Sequence, residues 1–145
     1  MSPHPPLTDD LGFLLSRASG VVARSASKAL APLDLRVRSY SVLALVVEHR
    51  GIAQRRLAAL VGLDPSQIVA LVDELQDRGL VVRAADPQDR RNKLVTATED
   101  GVRLHGEARD RVAERSDRHF AGLPAERTRE LREALQHVAF PAEEG

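Results

Sequence analysis

A chain of 145 residues with 21 Lys/Arg against 21 Asp/Glu fits one domain, is long enough to bury a core without staples, and carries no bulk charge to draw it to nucleic acid or membrane. The lack of cysteine excludes disulfides, thiolate metal sites and thiol redox chemistry, and one Tyr with no Trp disfavours a protein that stacks single-stranded bases. The first ten residues lack a basic-then-apolar leader and the longest apolar run, residues 42–47, is too short to span a bilayer, so a soluble cytoplasmic protein without membrane contact is expected.

In chain order, Thr8 or Asp9 is the expected cap of a first helix, on which Leu11, Leu14, Leu15, Ala18, Val22, Ala26 and Ala29 recur at helical spacing until Pro32. Residues 36–51 form a second helix, apolar over most of its surface and closed by Gly51. A short third helix begins at Gln54 and stops at Gly62. The fourth is punctuated at both ends, with Asp64 as cap, Pro65 in the first helical position and Gly79 at the stop; Ile68, Leu71, Val72 and Leu75 form its apolar stripe. Two strands, residues 80–84 and 93–98, enclose the polar stretch ADPQDRRN. Thr98, Glu99 and Asp100 start a long polar helix to Phe120, and Pro124 opens a last one with Leu131, Ala134, Leu135 and Val138 on one face.

The third and fourth helices, joined by VGLDPS, have the spacing of a helix-turn-helix. The second of the pair presents Ser66 and Gln67 at its N-terminus, where free N–H groups suit a phosphate and the Gln67 amide suits a base edge. Taken alone, two adjacent helices and a turn are commonplace. The following strand, charged tip and strand have the form of a wing. If the tip is extended, Asp89 and Arg91 project to one side and Arg90 to the other, so that Asp89 braces the Arg91 guanidinium. The competing reading is an idle surface ion pair, worth about 0–1 kcal/mol.

Together, LAALVGLDPSQIVALVDELQDRGLVVR and DPQDRRNKLVTATEDG resemble the multiple-antibiotic-resistance regulator (MarR) family of winged helix-turn-helix proteins. The resemblance implies a mostly helical α+β fold in a single domain. Residues 36–98 would form the winged lobe, and residues 8–32 and 99–140 the dimerisation helices. It also implies a homodimer on a pseudo-palindromic duplex, more often a repressor than an activator, with half-sites about one helical turn apart. By residue, it implies Arg91 in the minor groove with Asp89 as brace, and Arg90 near phosphate or solvent. Ser66 and Gln67 fall on the front of the recognition helix, with Gln54 and Arg55 placed for phosphates.

The chain departs from the family at four positions. Ala70 and Glu74 stand where many relatives carry arginine, Val69 where a hydroxyl is common, and Ala97 where leucine is usual. These point to an A·T-leaning site or to weaker binding, with Val69 meeting a thymine methyl and Glu74 repelling DNA if it faces it. They also sustain the alternative of a winged-helix dimer with weakened DNA binding, serving as a protein-interaction module.

The family's usual input is a small aromatic or phenolic effector. Tyr40 aligns with a position that often lines the effector cleft, and Arg38 or Arg17 is placed to pair with a carboxylate; equally, Tyr40 is a core anchor and the arginines are solvated. No metal site is expected, because His105 is followed at i+4 by Arg109 and His119 by Leu123. Neither an enzyme nor a cofactor is expected, since the chain has no nucleophile elbow and no Gly-rich phosphate loop.

Overall fold

The structure, a computed structural model, describes residues 3–142. Helix α1 spans Leu11–Leu30. Its cap is Asp10, whose carboxylate accepts from the Phe13 N–H at 2.9 Å, rather than Thr8 or Asp9, which lie in a 3-10 turn over Leu7–Asp9. A second such turn, Ala31–Leu33, holds Pro32, and Asp34 leaves it with φ 53°. The chain thus changes direction before α2, Val37–His49. Arg50 and Gly51 both take positive φ at the end of α2, and α3 covers Gln54–Val61. Gly62, at φ 74°, allows the tight turn into α4, Pro65–Asp77.

A two-residue strand, β1 at Ile52–Ala53, is absent from the sequence reading. With β2 (Val81–Ala85) and β3 (Lys93–Ala97) it makes an antiparallel sheet in the order β1-β3-β2. The register sets Ile52 opposite Val95, and Arg83 opposite Val95 on the other side. A segment this short carries no periodicity of its own, and its partner β3 lies beyond two helices and a strand.

Residues Val42, Leu43 and Val46 of α2, Leu57 of α3, Ile68, Val72 and Leu75 of α4, and Val81 and Val95 of the sheet are all fully buried. This core ties the middle of the chain into one lobe, and Ala97 packs at its edge. Helix α5, Glu99–Phe120, leaves the lobe from a Thr98 cap and packs along α1. Thr98 Oγ1 accepts from Gly101 N at 3.1 Å and donates to Gly79 O at 2.7 Å. Its amide donates to Leu80 O at 3.0 Å. A Cβ at residue 101 would overlap that same Leu80 carbonyl, so only glycine permits this approach.

Helix α6, Ala125–Ala139, buries none of its residues within the chain. Leu131, Leu135 and Val138 are exposed on it, as are Leu11, Leu14 and Leu15 on α1. Among the described residues no helix is long and apolar enough to cross a membrane.

Candidate nucleic-acid interface

Burial of Ile68, Leu71, Val72 and Leu75 turns one face of α4 inward, so the opposite face presents Ser66, Val69, Ala70 and Asp73 to solvent. Gln67 is exposed but folds back. Its Oε1 accepts from the Asp64 N–H at 3.1 Å, capping the helix in the manner of a capping box. Of the amide expected to meet a base edge, only the N–H2 is left uncommitted. Glu74 does not stand out toward a groove. It pairs with Arg36, just before α2, at 2.7 Å. One turn later the Arg78 guanidinium donates to Asp34 O at 2.6 Å and Leu33 O at 3.1 Å.

Arg83, which its place in the sequence does not single out, joins α3, α4 and the wing. Its side chain is only 15% exposed. Nε donates to Gln54 Oε1 at 2.5 Å, Nη1 to Gln76 Oε1 at 3.1 Å and Nη2 to Val69 O at 3.1 Å. The same Nη2 lies 2.7 Å from Asp73. One signal could have found it: period-two alternation places Arg83 on the same face of β2 as the buried Val81. Gln54, expected to meet phosphate, is thus oriented with its oxygen on Arg83 and its N–H2 left over. Arg55 is exposed at the start of α3.

The wing tip is a turn rather than an extended strand. Asp86 N donates to Asn92 O, Asp89 N to Asp86 O, and Asn92 N to Asp89 O, at 3.1, 3.2 and 3.0 Å. The expected brace between Asp89 and the Arg91 guanidinium does not form. The Asp89 carboxylate instead accepts from the Arg91 backbone N–H at 3.1 Å and from Asn92 Nδ2 at 3.3 Å. Asp89 therefore holds the backbone of the tip, and the assumed alternation of sides fails because it needs extended φ and ψ. Arg90 and Arg91 are exposed, and neither forms an ion pair among the described residues.

Away from this surface, Tyr40 is half-buried and packs against the core, stacked on His105 with ring centroids 6.2 Å apart at 24°. Burial raises the Tyr40 pKa, helped by Glu48 and opposed by Arg109. Burial also lowers that of His105, helped by Arg109 and opposed by Glu48. Ser39, the preceding residue, is buried with its Oγ unpartnered. Arg38 and Arg17 are exposed, and the apolar groove of about 430 Å³ between α5 and α6 is lined by Phe120, Leu131, Leu135 and Phe140 rather than by these residues. Among the described residues no group of three potential metal ligands comes together.

A sequence profile of the MarR family matches residues 33–92, from the α1–α2 corner through the wing tip. An HTH-type transcriptional repressor of Mycobacterium tuberculosis is 30% identical over 134 residues, which cover 91% of this chain and 96% of that one. The crystal structure of CouR from Rhodococcus jostii RHA1, bound to p-coumaroyl-CoA, is 55% identical with a TM-score of 0.90, covering 96% of this chain and 98% of that one. A transcriptional repressor CouR bound to a 23-mer DNA duplex is 30% identical with a TM-score of 0.85, covering 97% and 99%. With its winged fold and matches that run nearly end to end, the chain belongs to the MarR family of transcriptional regulators.

Proposed function

We propose that this chain is a homodimeric, sequence-specific DNA-binding repressor released by a small ligand. The observation that carries the reading is the joint exposure of the outer face of α4 and of Arg90 and Arg91 at the wing tip, both fixed to one core. Ser66 meets the major-groove side, Arg91 the minor groove, and Gln54, Arg55 and Arg90 the phosphates. The uncovered apolar residues of α1 and α6 supply the face for a second copy, since patches of this kind mark association surfaces. The 55% identity to a protein bound to p-coumaroyl-CoA makes an aromatic acyl thioester the first effector class to test. The residues to test with it are Tyr40, Arg38 and Arg17. The absence of lysine and arginine from α4 favours the competing protein-interaction module, which the salt dependence separates.

The test is fluorescence anisotropy against duplexes enriched from a random pool, repeated across salt, with Arg91→Ala and with added p-coumaroyl-CoA. A palindromic consensus, a dimer by sedimentation and release by the thioester are expected. Affinity should fall steeply with salt, and Arg91→Ala, which removes one cation from each of the two wings, should reduce the slope by about two units. Failure to enrich any duplex, or binding indifferent to salt, would overturn the proposal in favour of a protein partner.

A further inference from the structure

We infer that α4 reads its operator through the C5 methyl groups of thymine, with Val69 and Ala70 as the specificity-determining residues. This rests on the DNA-binding reading above and states what that surface recognises.

From Pro65 to Asp77 the helix carries three acids and no lysine or arginine, so the two-donor fork that reads guanine is missing from it. The amides nearby are partly committed as well. A bidentate adenine contact uses both the oxygen and the nitrogen of one amide. The Gln67 oxygen is turned back onto Asp64 N, and the Gln54 oxygen is held by Arg83. Two of the three acids are drawn aside: Asp73 pairs with Arg83 and Glu74 with Arg36.

What remains exposed on the first two turns is a hydroxyl, Ser66, and the Gln67 N–H2, which can donate but not form the bidentate adenine contact, beside the aliphatic Val69 and Ala70. Val69 is 41% exposed although it is a large apolar residue on a well-packed lobe. Its place is fixed, because its carbonyl accepts from Arg83 Nη2 at 3.1 Å, which ties it to the root of the wing. In a major groove the apolar feature is the thymine methyl, which an aliphatic side chain covers without hydrogen bonding.

Removing a methyl of that size from contact costs about fourfold in affinity at ~0.8 kcal/mol per buried carbon. A symmetric loss in both half-sites multiplies to roughly 15-fold. The experiment replaces thymine by deoxyuridine, position by position and symmetrically, in the duplex that the protein enriches from a random pool. Every hydrogen-bonding group of the base pair is retained. The wing's minor-groove contacts do not sense the change, because the C5 methyl lies in the major groove. The protein itself is unaltered, so folding does not confound the result.

At one or more thymines per half-site, uracil should weaken binding by roughly 15-fold with the salt slope unchanged. Val69→Ala should bind the thymine and uracil duplexes more nearly alike. Uracil at every thymine without loss of affinity would overturn the inference while leaving the repressor reading intact. So would undiminished uracil sensitivity in both Val69→Ala and Ala70→Ser. Failure to enrich any duplex would overturn both.

Discussion

Replacing Arg83 with methionine keeps the aliphatic stem but removes a guanidinium that ties the wing to α3 and α4 at once. Its hydrogen bond to the half-buried Gln54 contributes about 1.5 kcal/mol, the low end for a charged donor. The pair with Asp73, which is 57% exposed, belongs near the surface limit of about 0.5 kcal/mol. The contacts to Gln76 and the Val69 carbonyl are exposed, and water replaces most of their worth. The sum is about 2 kcal/mol, or roughly 6 °C in Tm for a chain of this size, measured at fixed protein concentration because a dimer's Tm depends on it. DNA affinity should fall further than stability implies, because Asp73 is left uncompensated on the exposed face of α4 that is proposed to meet DNA. Adding Asp73→Asn should then recover much of the DNA affinity but little of the Tm, a split that simple unfolding does not produce. An Arg83→Met protein that melts within about 1 °C of the parent and binds DNA equally well would refute the reasoning.

Two further substitutions probe the wing root and the Tyr40 region. Gly101→Ala should cost about 3 kcal/mol, at the upper end of overpacking, because the added methyl meets the Leu80 carbonyl backbone rather than a movable side chain; a thermal melt reads this directly, and an unchanged Tm would contradict the close approach. Burial holds His105 below the ordinary imidazole value of 6.5, so the unfolded chain takes up a proton first as pH falls. Stability from neutral His105 is present above pH 6.5 and is lost as pH drops from there through the folded value. Tyr40, raised above 10.0, gives the opposite limb, with stability present below that pH and lost as pH rises through its folded value. His105→Leu should flatten the acid limb of a Tm-against-pH profile, with Glu48 and Arg109 still in place, and a limb of unchanged steepness would assign it elsewhere.

Helix α4 is readable from sequence because its signals are local: a cap, a proline at the first position, four apolar residues at helical spacing and a terminating glycine. The start of α5 is visible too, through Thr98 and the acids Glu99 and Asp100. The reason for Gly101 is not, since it is the backbone of Leu80, on the far side of the wing, that leaves no room for a Cβ. Features made by distant partners share this fate. Strand β1 exists only through β3, and Arg83 draws its contacts from Gln54, Val69, Asp73 and Gln76. The Asp89 brace failed for a different reason. Alternation assumes a strand, whereas a carboxylate in a tight turn finds the backbone N–H two residues on before it finds a side chain.

The C-terminal half of α4 is moored to the corner between α1 and α2, through Glu74 to Arg36 and through Arg78 to the carbonyls of Leu33 and Asp34. Its N-terminal half, which carries Ser66, Val69 and Ala70, has no such polar mooring to that corner among the described residues. That half is tied instead to the root of the wing, through the Val69 carbonyl and Arg83, about 14 Å from Arg78 at ~1.5 Å per residue. Between the two anchors Ile68, Leu71, Val72 and Leu75 are buried, so the helix is a strut that cannot tilt at one end alone. A displacement of the corner is passed along it to the wing, and Ser66, Val69 and Ala70 keep their spacing from the wing tip.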